Sequence, residues 1–201
     1  MTDPTPSPWN IANLVTMVRI VLVPVFAWAL LADGGDSVTW RLVATAVFVL
    51  AAVSDRIDGY LARSRGLVTD LGKILDPIAD KALVGAALIL LWWPLGELPW
   101  WVPVVILARE LGVTAMRMVV LRYAVMPASR GGKIKTVLQM VAITLFLLPL
   151  AHLPSSVHDT AWVVMWAAIG VTVVTGIDYA AQGWRLRRDA KAEGPRPEAA
   201  A

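Results

Sequence analysis

Apolar runs of roughly 18 to 25 residues recur along this 201-residue chain, each long enough for a helix to cross the ~30 Å hydrocarbon layer of a bilayer. Lipid offers no water to bond backbone N–H and C=O groups, so such runs are confined to helices whose amides bond internally. Composition agrees. The chain is 58% hydrophobic and 16% charged with a mean hydropathy of +0.65, more apolar than a soluble domain needs for one core. The runs fall at about 11–32, 40–62, 70–93, 101–123, 133–150 and 160–184. They predict an all-α integral membrane bundle of six transmembrane helices, forming one domain over 10–185. A polar tail, 1–9, carries Pro4, Pro6 and Pro8, and a basic then flexible tail covers 186–201. The first run reads as a retained helix and not a leader: nothing basic precedes it, Arg19 interrupts it, and it is long enough to span.

The basic residues are unevenly placed. The turns at 33–40, 94–100 and 151–159 contain no Lys or Arg. The turn at 63–73 has Arg63, Arg65 and Lys73, the turn at 122–135 has Arg122, Arg130, Lys133 and Lys135, and the tail has Arg185, Arg187, Arg188 and Lys191. Positive charge marks the cytoplasmic side, so both termini and the two basic turns are expected there, in a multi-pass protein of the plasma (inner) membrane. A net charge of +3 and pI near 9.5 do not point to nucleic acid, because the basic residues are not interleaved with aromatics for base stacking. The absence of cysteine excludes disulfides, thiolate catalysis and sulfur ligation.

The second and third runs are charged where they face each other. Asp55 and Asp58 stand at i and i+3, Asp76 and Asp80 at i and i+4, so each pair shares a helix face and the two arms of a hairpin bring four carboxylates together. Four such charges at a membrane boundary need compensation. A donor set of oxygens without His or Cys suits Mg²⁺ or Mn²⁺, and four carboxylates can hold two such ions ~3.5–4 Å apart. Gly59 and Gly72 inside the helices cost ~1 kcal/mol each against alanine, which points to close approach by a ligand. Ala62 lies one turn beyond Asp58, and Arg63 is suited to forked contacts with a diphosphate. The competing reading is a solvated network in which Arg56, Arg63, Lys73 and Lys81 pair with the acids.

The stretch from Asp55 to Asp80 reads Asp, two residues, Asp-Gly, two residues, Ala-Arg, eight residues, Gly, three residues, Asp, three residues, Asp. It resembles the signature of the CDP-alcohol phosphatidyltransferases. That resemblance implies six helices, two divalent cations held by Asp55, Asp58, Asp76 and Asp80, and a CDP-diacylglycerol donor at Asp58, Gly59, Ala62, Arg63 and Gly72. It also implies a homodimer in contact with membrane lipids. Asp80 is the candidate catalytic base, since an acceptor hydroxyl must lose its proton as it attacks phosphorus. It also serves as a metal ligand, and the two roles are compatible.

The acceptor is read from two further stretches. Arg109, with Glu110 beside it, and Arg117 lie within the fourth run, where an arginine is expensive unless it faces the bundle interior or a partner. The following turn carries Ser129, Gly132, Lys133, Lys135 and Thr136, then Gln139. Arg109, Arg117, Lys133 and Lys135, with hydroxyls from Ser129 and Thr136, suit an acceptor bearing phosphate, glycerol 3-phosphate above all. The bland alternatives are topological bias for the lysines and pairing with Glu110 for Arg109. These stretches also resemble the branch of the family that uses glycerol 3-phosphate, giving phosphatidylglycerophosphate and CMP. So does the opening segment with Asn13, Thr16 and Arg19 on one face, which adds Asn13 and Thr16 to the CDP-diacylglycerol set; it departs at Ala12 and Val15, where proline and leucine are common. Competing acceptors are phosphatidylglycerol, as in cardiolipin synthases, and an inositol phosphate. A cation channel or carrier would spread its acids across the membrane depth, whereas here the four aspartates sit at one end of two helices, with Asp178 apart in the sixth run.

Overall fold

The computed structural model describes residues 11–64, 69–120 and 130–192; within these helices the side chains of 55–64, 117–120 and 130–133, among others at helix ends, lie outside the description. Six helices follow in order: α1 (Ile11–Leu31), α2 (Val38–Ser64), α3 (Asp70–Trp92), α4 (Trp101–Val120), α5 (Arg130–Leu147) and α6 (Ser155–Ala192). Among the described residues there is no strand.

Local chemistry sets the ends. Thr69 caps α3, its side chain accepting from Gly72 N, one of the orphan amides at a helix start. Helix α5 stops at Leu147, not at the expected 150, because Pro149 has no N–H and disfavours a helical residue before it. Helix α6 begins five residues before the expected 160, just after Pro154, whose fixed φ suits a first turn. It also runs to Ala192, past the expected 184. Between α1 and α2 the chain reverses through Asp33, Gly34 and Gly35, all at positive φ. A Cβ on Gly35 would sit 2.1 Å from Leu95 Cδ2, so a side chain there would push apart the 32–37 and 93–100 turns.

Helices α1, α2 and α3 pack as one group and α4, α5 and α6 as another, joined where α2 and α3 meet α5 and where α3 meets α4. The interior is rich in small residues: Ala29, Ala44, Ala51, Ala79, Ala87, Ala142, Ala161 and Ala168 are all buried, filled in by Phe26, Phe48, Leu88, Ile143 and Phe146. Large apolar side chains point outward instead, Val21, Trp28, Leu50, Val163, Val174 and Ile177 being more than 60% exposed. Small residues that let helices approach closely, with large apolar side chains also turned outward, suit helices packed in lipid, where contact and not water exclusion drives association. By length and apolar content, two stretches, Asn13–Gly35 and Ser155–Arg185, are candidate membrane spans.

The two ends of the bundle differ in chemistry. One carries Trp40, Trp92, Trp93, Trp100 and Trp101 at or beside the turns, together with a buried clamp. Arg41 there donates to Glu97 Oε1 at 2.9 Å, to the carbonyls of Phe146, Leu147 and Leu148, and to Gly35 O. It thereby satisfies C-terminal carbonyls of α5 and ties three connections together. At the opposite end lie the last turns of α2, the first turns of α3 and α5, and the end of α4.

Candidate active site

The first turns of α3 form a wall shared by two clusters of the expected site residues. On one side stands α1. Asn13 Nδ2 donates to Thr69 Oγ1 at 2.8 Å, Thr69 Oγ1 donates to Asn13 Oδ1 at 3.0 Å, and Gly72 N donates to Thr69 Oγ1 at 3.1 Å. One turn along, Thr16 Oγ1 donates to Asp76 Oδ1 at 2.7 Å. Asn13 and Thr16 are both buried, whereas Asp76 is exposed. The i, i+3 spacing of Asn13 and Thr16 thus lays two polar groups along α3. Thr16 fixes one oxygen of the Asp76 carboxylate in place.

Gly72 has a reason visible in the structure. A Cβ there would meet Asn13 Oδ1 at 2.7 Å and Thr69 Oγ1 at 3.3 Å. The close neighbour is therefore the Asn13 carboxamide of the same chain.

On the other side, α3 faces α4 and α5 across a cavity of about 240 Å³, the size for a small metabolite and below the usual range of drug-sized pockets. Asp80, Lys81, Glu110, Lys135, Thr136 and Gln139 give it polar walls, and Val84, Leu107, Leu111 and Met140 apolar ones. Lys135, although almost fully buried, pairs with Glu110 from α4 and lies within electrostatic reach of both Arg109 and Asp80. A buried ammonium needs such a partner.

Arg109 reaches toward α6 from beside Glu110. Its Nη2 donates to Thr175 Oγ1 at 3.1 Å, its guanidinium lies 5.8 Å from the centre of the Tyr179 ring, and its stem passes where a Cβ on Gly176 would be. Its contact with Glu110, at 3.6 Å, is the long one. Pairing with the adjacent acid, one of the two readings of Arg109, is thus present together with a set of α6 partners. Sequence reasoning missed Thr175, Gly176 and Tyr179, because nothing local marks a helix face 66 residues away as the partner of an arginine. Glu110 as the partner of Lys135 was missed as well, though an acid inside an apolar run was a usable signal.

The remaining expected residues are placed by backbone alone. Asp55, Asp58, Gly59, Ala62 and Arg63 are on the last turns of α2, Arg117 on the last turn of α4 and Lys133 on the first of α5, with side chains outside the described residues; Ser129 lies outside them altogether. Among the described residues no three carboxylate, imidazole or thiol groups gather as a metal cage. What is described fits a hard cation in its chemistry: Asp76 and Asp80 stand one turn apart, Asp76 is open to solvent, and neither cysteine nor histidine is among the described residues that line the cavity with Asp80. Asp178, the acid apart from the cluster, is exposed on α6 and accepts from Gln182 Nε2 at 2.8 Å.

Comparison with known sequences agrees with the motif. The profile of the CDP-alcohol phosphatidyltransferase family matches residues 9–174, and the chain belongs to that family of enzymes. Its relatives include a probable phosphatidylglycerophosphate synthase of Mycobacterium tuberculosis, 54% identical over 88% of this chain and 82% of the relative. A CDP-diacylglycerol–glycerol-3-phosphate 3-phosphatidyltransferase of Bacillus subtilis is 38% identical over 88% of this chain and 96% of the relative. A plant counterpart from Arabidopsis thaliana is 31% identical over 92% and 87%.

Proposed function

We propose that this enzyme transfers a phosphatidyl group from CDP-diacylglycerol to glycerol 3-phosphate, forming phosphatidylglycerophosphate and CMP. The observation that carries this reading is the cavity in which the Asp80 carboxylate on α3 faces Lys135 and Thr136 on α5, next to the face that bears Asp76. A carboxylate beside a cationic, hydroxyl-bearing wall suits an acceptor with a nucleophilic hydroxyl at one end and a phosphate at the other. The names of the relatives point the same way.

In this mechanism the acceptor hydroxyl attacks the phosphorus that carries the diacylglycerol. A new P–O bond forms, the bond to the bridging oxygen of the diphosphate breaks, and CMP leaves with the electron pair. Asp80 takes the hydroxyl proton, being held within the cavity and only partly exposed. Lys135 and Thr136, with Lys133 and Arg117 from the same end of the bundle, and Ser129, bind the acceptor phosphate. Glu110 keeps the buried Lys135 ammonium neutralised until that phosphate arrives. Arg109, bonded to α6, contributes charge to the cavity from behind Glu110. Asn13 and Thr16 hold α3 so that Gly72, Asp76 and the Asp58, Gly59, Ala62 and Arg63 turn of α2 together receive the CDP moiety.

Asp55, Asp58, Asp76 and Asp80 are the residues that would hold two divalent cations, Mg²⁺ or Mn²⁺. Bound there, such ions supply charge neutralisation for the diphosphate and the departing CMP. Thr16 orients Asp76 for that task by holding one of its oxygens.

The whole bundle is read as six spans with both termini and the site on the cytoplasmic side of the plasma membrane. Helices of 18 to 38 residues are ~27–57 Å long at 1.5 Å per residue, close to or above the bilayer core. The tryptophan-rich end carries one arginine at its turns, Arg41, and that is buried and paired with Glu97; the Lys and Arg residues collect at the other end, as the inside of a membrane protein requires.

The test is CMP release by the purified protein from CDP-diacylglycerol with Mg²⁺ or Mn²⁺. Release is expected with glycerol 3-phosphate, to be lost on chelation and restored by either cation. Release with phosphatidylglycerol or inositol phosphate in its place overturns the choice of acceptor, and full release in chelator overturns the metal.

A further inference from the structure

Two polar residues lining the cavity between α3, α4 and α5 have no part in the mechanism above, Lys81, which is half-buried, and Gln139, which is buried. Gln139 is 4% exposed, lies one helical turn beyond Lys135 on α5, and lines the same cavity as Asp80. Its Oε1 is buried and accepts no hydrogen bond from the described residues. In an apolar bundle a buried amide oxygen without a donor is costly, and a leucine or methionine would pack there at no such cost. A group of this kind inside a substrate cavity is accounted for when a ligand supplies the missing donor.

The chemistry of the vacancy narrows that donor. An amide oxygen accepts and does not donate, so it cannot hold a phosphate at neutral pH; it requires an O–H or N–H. The acceptor named above carries two hydroxyls, one of which must face Asp80 to be deprotonated. With the phosphate at Lys135, the next turn of α5 lies ~5.4 Å further into the cavity, comparable to the reach of a three-carbon chain.

We propose that Gln139 is a specificity-determining residue for the acceptor: its Oε1 accepts a hydrogen bond from the hydroxyl of glycerol 3-phosphate that does not react, the one on the middle carbon. This rests on glycerol 3-phosphate being the acceptor. Lys135 and Gln139, at i and i+4, then read the phosphate and the central hydroxyl from one helix face, leaving the terminal hydroxyl toward Asp80 on α3. An acceptor without the central hydroxyl leaves the Gln139 oxygen unpaired in the bound complex, and sites that bond a substrate hydroxyl reject such analogues strongly.

The experiment compares kcat/KM for CMP release with sn-glycerol 3-phosphate and with 3-hydroxypropyl phosphate, which lacks only that hydroxyl, using the full-length wild-type protein and Gln139→Met. The wild type is expected to prefer glycerol 3-phosphate by about 10- to 100-fold. In Gln139→Met the preference is expected to fall to within about threefold, by loss of activity on glycerol 3-phosphate with little change on the analogue. Equal use of the two acceptors by the wild type overturns the proposal without any variant. So does an unchanged preference in Gln139→Met, or an equal loss on both acceptors, since a residue that reads this hydroxyl has nothing to read in the analogue. CMP release by the wild type with phosphatidylglycerol but with neither three-carbon phosphate is a different result: the acceptor assignment itself then fails, and this inference with it.

Discussion

Gly72, Asn13 and Thr16 show how much of a side chain's meaning lies in its neighbours. A glycine inside a charged helix start, read from sequence, points to a ligand pressed against the backbone; in the structure the group that crowds Gly72 is the chain's own Asn13 carboxamide, 2.7 Å from a would-be Cβ. That neighbour belongs to a helix 59 residues earlier, which nothing local to Gly72 names. Thr16 is the sharper case, because its hydroxyl restrains the Asp76 carboxylate from a fully buried position. Thr16→Val keeps the shape and removes that donor. A hydrogen bond to a charged group contributes ~1.5–3 kcal/mol, so kcat/KM for CMP release is expected to fall about 10-fold or more, with the activating concentration of divalent cation rising. Thr16→Ser should recover most of the loss. A Thr16→Val enzyme with unchanged cation dependence would remove Thr16 from the support of Asp76.

The helices themselves were largely legible, since an apolar run bounded by polar turns or proline is a local property of the chain. The starts of α3 and α4 coincide with the charged Asp70 and aromatic Trp101 boundaries. The misses were polar turns continuous with a helix: Ser155, Ser156, His158 and Asp159 read as a loop, yet Pro154 starts α6 ahead of them. What holds α5 at its far end was not legible at all. Arg41 belongs to α2 and reaches carbonyls more than 100 residues away. Arg41→Ala leaves those carbonyls and Glu97 without their donor, and is expected to lower stability by about 2–3 kcal/mol, read as a drop in the thermal midpoint of the protein in detergent. Activity per folded molecule should hold at low temperature, because the clamp lies at the opposite end of the bundle from Asp76 and Asp80. A midpoint equal to that of the wild type would show that lipid or detergent headgroups satisfy these carbonyls instead.

For the whole molecule, the asymmetry between an aromatic end and a basic end predicts its orientation, and the absence of cysteine makes the test direct. Asp36→Cys, in the turn between α1 and α2, is expected to react with a membrane-impermeant maleimide only from outside intact cells, and Arg188→Cys, on the exposed end of α6, only in inside-out vesicles. Labelling of both from one side would overturn the six-span reading. Helix content, the apolar lengths of the helices and the gathering of charge at one end of the bundle were all written in the sequence, because each depends on residues within a turn or two of one another. The aspartate motif was written there as well, since its spacing is a property of two consecutive helices. The partners across helices were not. Asn13 with Thr69, Thr16 with Asp76, Arg109 with Thr175, Glu110 with Lys135 and the vacant acceptor on Gln139 all depend on which faces meet when six helices pack. In a bundle whose helices present large apolar side chains both inward and outward, periodicity carries little information about which face turns inward. The packed structure settles those faces by fitting small residues together and by leaving buried polar groups with partners.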